Sequence, residues 1–290
     1  MIVLLLTSQN EAAALRLNLE HHLNYGIDKI AVADNASTDE TQDVIAEFGP
    51  DVSCTIFDDF HQRQLVRMAM LNDIRARHAV EWVGVCDTDE FFFAHGDMPR
   101  DVLREVPPNI VAANFIGQLF LPTALDAAHG SFLTQRRYRT TLQTSRLHTS
   151  YKEGKTFYRS DWLTAIDHEH LCLTVPHDIH RHPVGAFHHY MVRDEDQFVN
   201  KVSRLIAWSK EPPPAKKLLR RAAAPQLPKW SSWFKKEWWQ TYVDGGEAAV
   251  RDYYRTRYTL SEHDVARHTE AGELTFDESL AKHWESTHSA

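Results

Sequence analysis

The chain has 290 residues, 43% of them apolar and 25% charged, with a formal net charge of -8. Those proportions exclude a disordered or fibrous chain, and the acidic balance speaks against a nucleic-acid coat, which needs basic surface to displace counterions from phosphate. No apolar run approaches the length that crosses a bilayer, and Cys54, Cys86 and Cys172 are too scattered for a disulfide framework or a thiolate zinc site.

The opening run Ile2 to Thr7 has no basic flank and reads as a strand covered on both faces rather than as a leader. Residues 11 to 24 change to helical spacing, with Ala12, Leu15, Leu19 and Leu23 on one stripe and Gly26 placed to end the helix. Lys29 to Ala33 is a second strand, after which Ser37-Thr38-Asp39-Glu40 fits a capping box opening a helix through Phe48. Val52 to Phe57 is a third strand, 61 to 78 a longer helix, and Trp82 to Cys86 a fourth strand ending in Asp87-Thr88-Asp89-Glu90. The strand–helix alternation implies an α/β fold with a mostly parallel sheet flanked by helices.

Beyond Pro99 the pattern loosens. Ile110 to Phe120 holds one or two strands, and 126 to 192 is irregular, with many of the 18 histidines between His168 and His189. Helical spacing returns from Asp194 to Trp208, with Phe198, Val202 and Leu205 on one side, until Pro212-Pro213-Pro214 interrupts it. The last 60 or so residues, carrying Trp230, Trp233, Trp238, Trp239, Tyr253 and Tyr254, read as helices packed on the main body. A membrane-surface contact through Lys216-Lys217, Arg220-Arg221 and these tryptophans is the alternative. The expected division is a principal domain over 1–210, with halves 1–125 and 126–210, and a helical extension over 211–290.

In an open parallel sheet, ligands bind beyond the carboxyl ends of the strands. Three strand ends here carry Ser8-Gln9-Asn10-Glu11, Asp34-Asn35 and Asp87-Thr88-Asp89. Carboxylates gathered at one edge repel unless a cation joins them, and a divalent ion with oxygen ligands is the usual partner. Neither Gly-x-Gly-x-x-Gly nor a P-loop is present, so phosphates would be held by metal and basic side chains. The acids before Phe91-Phe92-Phe93 are pinned near the interior, where unpaired charge is costly; His21 and His22, on the first helix, read as structural.

The ordered series Asn10-Glu11, His21 to Asp28, Asp34 to Asp39, and Trp82 to Phe91 resembles the family-2-type glycosyltransferases of GT-A fold. Within them it is similar to the bacterial family-2-like group and to the family 92 enzymes. The resemblance covers residues 2–95 well and continues loosely through Gly154-Lys155, His168, His188-His189-Tyr190, Gln197-Phe198 and Lys201. It implies a nucleotide-sugar donor, UDP-linked, with Mn²⁺ or Mg²⁺ and a hydroxyl-bearing acceptor, saccharide or lipid-linked. By the same resemblance Asn10, Glu11, Asp34 and Asn35 lie with the nucleotide, Asp87 with the ribose and metal, and Asp89 on the metal, with His189 as a further ligand. Lys155 and Lys201 would add positive charge at the leaving group.

The chain departs from the usual family-2 pattern in lacking the later Glu-Asp pair at its expected place and the Gln-x-x-Arg-Trp motif. An inverting transfer needs a group to take the acceptor proton. Asp161, Asp167, His168 and Asp178 are candidates, with Asp178 and His168 preferred. The rival readings are a sugar-phosphate nucleotidyltransferase and a non-catalytic sugar-nucleotide-binding module. A cytoplasmic enzyme, with peripheral attachment at the inner membrane face as a variant, is the expectation from cysteine usage and the absence of a spanning run.

Overall fold

The computed structural model describes residues 1–59, 62–94, 98–126, 129–141, 154–166, 181–210 and 231–288. Its sheet begins with β1 (Ile2–Ser8), β2 (Lys29–Asp34), β3 (Val52–Ile56) and β4 (Trp82–Asp87), with α1 (Ala12–Asn24), α2 (Thr41–Glu47) and α3 (Arg63–Arg77) between them. Then come β5 (Glu90–Phe93), α4 (Pro99–Glu105), β6 (Ala112–Leu119), α5 (Phe132–Gln135), β7 (Tyr138–Thr140), β8 (Lys155–Arg159), β9 (Arg181–His189) and α6 (Glu195–Lys210). The C-terminal part holds α7 (Ser231–Tyr253), α8 (Glu262–Glu270), β10 (Leu274–Phe276) and α9 (Ser279–His288).

Eight strands form one sheet in the order β3-β2-β1-β4-β8-β6-β9-β5. The first four are parallel, as the alternation implies, and β9 runs parallel to β6; the pairings of β8 with β4 and β6, and of β5 with β9, are antiparallel. Successive residues of β1 point to opposite faces. Leu4 and Leu6 join Leu15 and Leu19 of α1, while Val3 and Leu5 meet Met70, Leu71 and Ile74 of α3. Each of these side chains is buried, and full burial of one such group is worth roughly 1.5–3 kcal/mol. Helices therefore cover both faces, and the uninterrupted apolar composition of β1 follows from that.

Helix α1 also reaches the edge strand β5. His21 Nε2 donates to the Phe92 carbonyl at 2.7 Å, and the Phe92 N–H donates to His22 Nε2 at 3.1 Å. Side chains thereby satisfy backbone groups that an edge strand leaves open, which bears out the structural reading of both histidines. Gly26 follows the helix at φ 93°, a left-handed conformation that glycine takes without strain.

The expected capping box is not formed. The helix begins at Thr41, and the Thr41 N–H and hydroxyl donate to Asp39 Oδ1 at 3.1 and 2.6 Å, while Ser37 turns its hydroxyl to Asp34. The 126–192 stretch, expected to be irregular, contributes β7, β8 and β9 among its described residues.

The C-terminal elements pack on the body. Trp238 of α7 meets Phe198 of α6 edge-on, with ring centroids 5.2 Å apart, and its indole N–H donates to the Tyr258 hydroxyl at 2.8 Å. Strand β10 pairs with β7, and Arg139 and Arg137 of that neighbourhood bind Asp277 and Glu278. Arg137 and Arg139 thus help anchor the extension. The expected boundary at 211, the triple proline, Trp230 and the Lys216–Arg221 basic pairs all lie outside the described residues. Among the described residues, no helix is long and apolar enough to cross a membrane.

Candidate active site

The carboxyl ends of β1, β2 and β4 lie side by side, because the register pairs Ser8 with Asp34 and Thr7 with Asp87. Two rim loops then interlock. The Asn10 N–H donates to Ser37 Oγ at 2.9 Å, the Thr38 N–H to Asn10 Oδ1 at 2.7 Å, and the Ala12 N–H to Asp39 Oδ2 at 3.1 Å. Asn10 occupies the left-handed region at φ 52°, which asparagine tolerates better than most residues. Asp34 is fully buried and accepts from the Ser37 N–H at 3.2 Å, the Ser37 hydroxyl at 2.5 Å and Gln42 Nε2 at 3.2 Å. Beside it Asn35 is buried, and its Oδ1 has no hydrogen-bond partner among the described residues.

The acidic turn between β4 and β5 presents its carboxylates to separate groups of cations. Asp87, half exposed, lies 3.6 Å from Arg67 of α3 and 4.0 Å from Lys155 of β8. Glu90 is buried, accepts from the Asp87 N–H at 2.8 Å and holds Lys155 Nζ at 2.8 Å. Asp89, also buried, has His189 Nε2 at 3.4 Å, Lys201 Nζ at 3.2 Å and Arg193 at 4.0 Å. Glu11 accepts from the Thr88 hydroxyl and faces Arg193 at 3.3 Å and Arg204 at 3.2 Å; Arg204 also donates to the Gln9 carbonyl.

The electrostatics follow from burial and these neighbours. Burial alone would raise the Asp89 carboxyl, but Lys201, His189 and Arg193 outweigh it and hold the group well below the usual carboxylate range. Burial pushes Glu90 up, against the pull of Lys155. Burial would lower Lys155, but Glu90 and Asp87 reverse that and raise it. Arg67 is lowered by burial to about 10, with Asp87 opposing, and stays charged at neutral pH. Arg63 is lowered by burial and also feels Asp87. Arg63, Arg67, Lys155, Arg193, Lys201 and Arg204 thus meet Glu11, Asp87, Asp89 and Glu90 at one rim, so acids are matched by cations here in a chain whose net charge is -8.

Asn10, Glu11, Asp34, Asn35, Asp87, Asp89, Lys155, His189 and Lys201 all stand at this rim or in contact with it. His168, Asp167 and Asp178 lie outside the described residues. Asp161 sits in the short turn after β8, where the Ser160 N–H donates to the Glu81 carbonyl at the start of β4. That is the opposite end of the strand from Asp87, so Asp161 is removed from the candidates for proton acceptor. Sequence reasoning missed Arg67, Arg193, Arg204 and Asn18. The available signals were helical: Arg67 follows Arg63 by one turn, and Arg204 follows Lys201 by three residues.

Asp89 and His189 are the pair of side chains that could hold a divalent ion. Their 3.4 Å separation suits two groups on one ion, and Mg²⁺-type sites commonly draw their other ligands from substrate phosphate and water. No group of three or more His, Cys, Asp or Glu side chains able to hold a metal occurs among the described residues.

No family model and no curated protein matches the chain. Solved structures do. Glucosyl-3-phosphoglycerate synthase from Mycobacterium tuberculosis, in complex with Mn²⁺, UDP and glucosyl-3-phosphoglycerate, is 16% identical over 68% of this chain and 74% of its own, with a TM-score of 0.36. S. aureus TarS 1–349 in complex with UDP is 13% identical over 71% of this chain and 65% of its own, also at 0.36. HddC from Yersinia pseudotuberculosis is 9% identical over 64% of this chain and 92% of its own, again at 0.36. At these scores and identities the chain is similar to these proteins without taking their activities from them.

Proposed function

We propose that the chain is a metal-assisted glycosyltransferase that moves a sugar from a nucleoside diphosphate, UDP, to an acceptor hydroxyl with inversion. The observation that carries this reading is Asp89, a buried carboxylate ringed by His189, Lys201 and Arg193 at the ligand-binding edge of a parallel sheet. A buried carboxylate kept ionised by specific charged partners at a ligand-binding edge is a candidate functional group.

In this reading Asp34 and Asn35 face the nucleoside, and the free Asn35 Oδ1 is an acceptor for a base or ribose donor. Asp89 and His189 would hold a Mn²⁺ or Mg²⁺, which neutralises charge on a departing diphosphate. Lys201, Arg193 and Lys155 are fixed cations oriented before reaction, so they stabilise the same developing charge with little reorganisation. The family's usual Glu-Asp base is missing at its expected place, and Asp178 or His168 of the histidine-rich stretch is the candidate proton acceptor. The nucleotidyltransferase alternative is disfavoured because Ser8-Gln9-Asn10-Glu11 is not a glycine-rich loop bearing Arg and Lys.

The test is release of nucleoside diphosphate from UDP-, GDP- and TDP-sugars, each with and without Mn²⁺ and a panel of hydroxyl acceptors. Turnover of a UDP-sugar that falls by at least about a hundredfold in Asp89→Ala is expected. Tight donor binding without turnover on any acceptor would instead make the chain a sugar-nucleotide-binding module.

A further inference from the structure

Asn18 lies in the middle of α1, fully buried, on a helix whose other inward residues are largely apolar. Its side-chain amide Nδ2 donates to the Glu90 carbonyl at 2.8 Å and the Thr88 carbonyl at 3.2 Å, and stands 3.4 Å from the Asp87 carbonyl. One side chain therefore reaches three carbonyls of the acidic turn, while the fourth, of Asp89, accepts from the Tyr190 N–H at 2.8 Å. Its Oδ1 in turn accepts from His22 Nδ1 at 2.9 Å.

The bond pattern fixes the orientation of both groups. Three carbonyls can be met only by the NH₂ end of the amide, so Oδ1 faces His22. His22 Nδ1 also approaches the Asn18 main-chain carbonyl at 2.9 Å, so that nitrogen carries the proton, and Nε2 is left to accept from the Phe92 N–H. The chain of bonds runs from β5 through His22 and Asn18 to the turn that carries Asp87, Asp89 and Glu90.

We infer that Asn18, held by His22, is a positioning residue for the acidic turn, setting where Asp87 and Asp89 meet a nucleoside diphosphate and its divalent ion. The Asp87 N–H is tied to Glu90 Oε2, so releasing the Glu90 carbonyl loosens both ends of the turn. An aspartate in place of Asn18 would set carboxylate oxygens against carbonyl oxygens; an alanine would leave those carbonyls without their buried donor. The ligand half of the inference rests on the proposed function, whereas the ordering of the turn does not.

Two measurements on Asn18→Ala keep these apart, with Glu20→Ala on the same helix as control. Hydrogen exchange at the Asp87 and Phe92 amides should accelerate at least tenfold, with Leu4 to Leu6 unchanged, and the affinity for UDP with Mn²⁺ should fall at least tenfold. Unchanged exchange at Asp87 overturns the inference, as does unchanged affinity in a variant whose parent binds UDP. A parent that binds no nucleoside diphosphate overturns the proposed function, and the exchange result then decides the positioning role alone. Should Asn18→Ala fail to fold, His22→Gln takes its place. Glutamine keeps an acceptor for the Phe92 N–H but lacks the Nδ1–H that orients Asn18, so Asp87 exchange should still accelerate, and its failure to do so overturns the inference.

Discussion

Lys155 Nζ lies 2.8 Å from Glu90 Oε2, in a buried pair that joins β8 to the first residue of β5 directly under the rim. Asp87 stands 4.0 Å from the same ammonium and Cys86 is packed beside them, so the pair fixes the base of the acidic turn rather than its exposed tip. Breaking a buried pair from one side leaves an uncompensated charge in low dielectric, which is more damaging than never having had the pair.

Glu90→Gln should therefore lower stability by about 3 kcal/mol, within the range for a broken buried pair. Urea unfolding measures it. Replacing both partners together, Glu90→Gln with Lys155→Met, should lose less than Glu90→Gln alone. A single substitution that unfolds at the parent midpoint would show that the pair carries no net stabilisation.

Acid should weaken the fold well before the carboxylates titrate. Burial lowers His21 to about 4, against the Phe92 carbonyl, and places His22 well below its ordinary value. Between pH 6.5 and 4 the unfolded chain binds a proton at His21 that the folded chain refuses. Stability is thus fully present above about pH 6.5 and falls as pH drops, by about 3 kcal/mol at His21 alone once pH 4 is reached. His22 acts in the same direction. Urea midpoints at pH 7 and pH 5 check this; equal midpoints would contradict it.

Gly84 on β4 faces the Phe157 ring of β8, where an added Cβ would stand 2.5 Å from ring carbons. Phe157 cannot easily yield, since it is fully buried and packed against Phe92 and Phe115 at 4.8 and 5.4 Å between centroids. Gly84→Ala should cost about 1–3 kcal/mol by overpacking. Pairing it with Phe157→Leu should recover part of the loss, read as a coupling energy in a double-mutant cycle.

The parallel half of the molecule was legible because its signals are local. An apolar run such as Ile2–Leu6, a stripe such as Leu15 and Leu19, and a glycine such as Gly26 each report on their own segment. Asp34, Asp87 and Asp89 could be placed at one edge because the parallel order puts successive carboxyl ends side by side. The cations were harder to read. Arg67, Arg193 and Arg204 come from three segments distant in sequence, and helical spacing beside Arg67 and Arg204 shows a shared face but not the acids they meet. The capping box fails because Ser37 gives its hydroxyl to Asp34, three residues upstream, and accepts from the Asn10 N–H, a tertiary contact that local spacing does not reveal.

In the proposed function the rim around Asp89 binds a nucleoside diphosphate together with a divalent ion. Thermal unfolding with UDP, with and without Mn²⁺, reads this binding out, since a ligand of the folded state at a hundred times its dissociation constant stabilises by about 2.7 kcal/mol. A rise in melting temperature that grows with UDP concentration, is larger with Mn²⁺ and disappears in Asp89→Ala is the expected result. A melting temperature unmoved by UDP with Mn²⁺, or moved equally in Asp89→Ala, would contradict it.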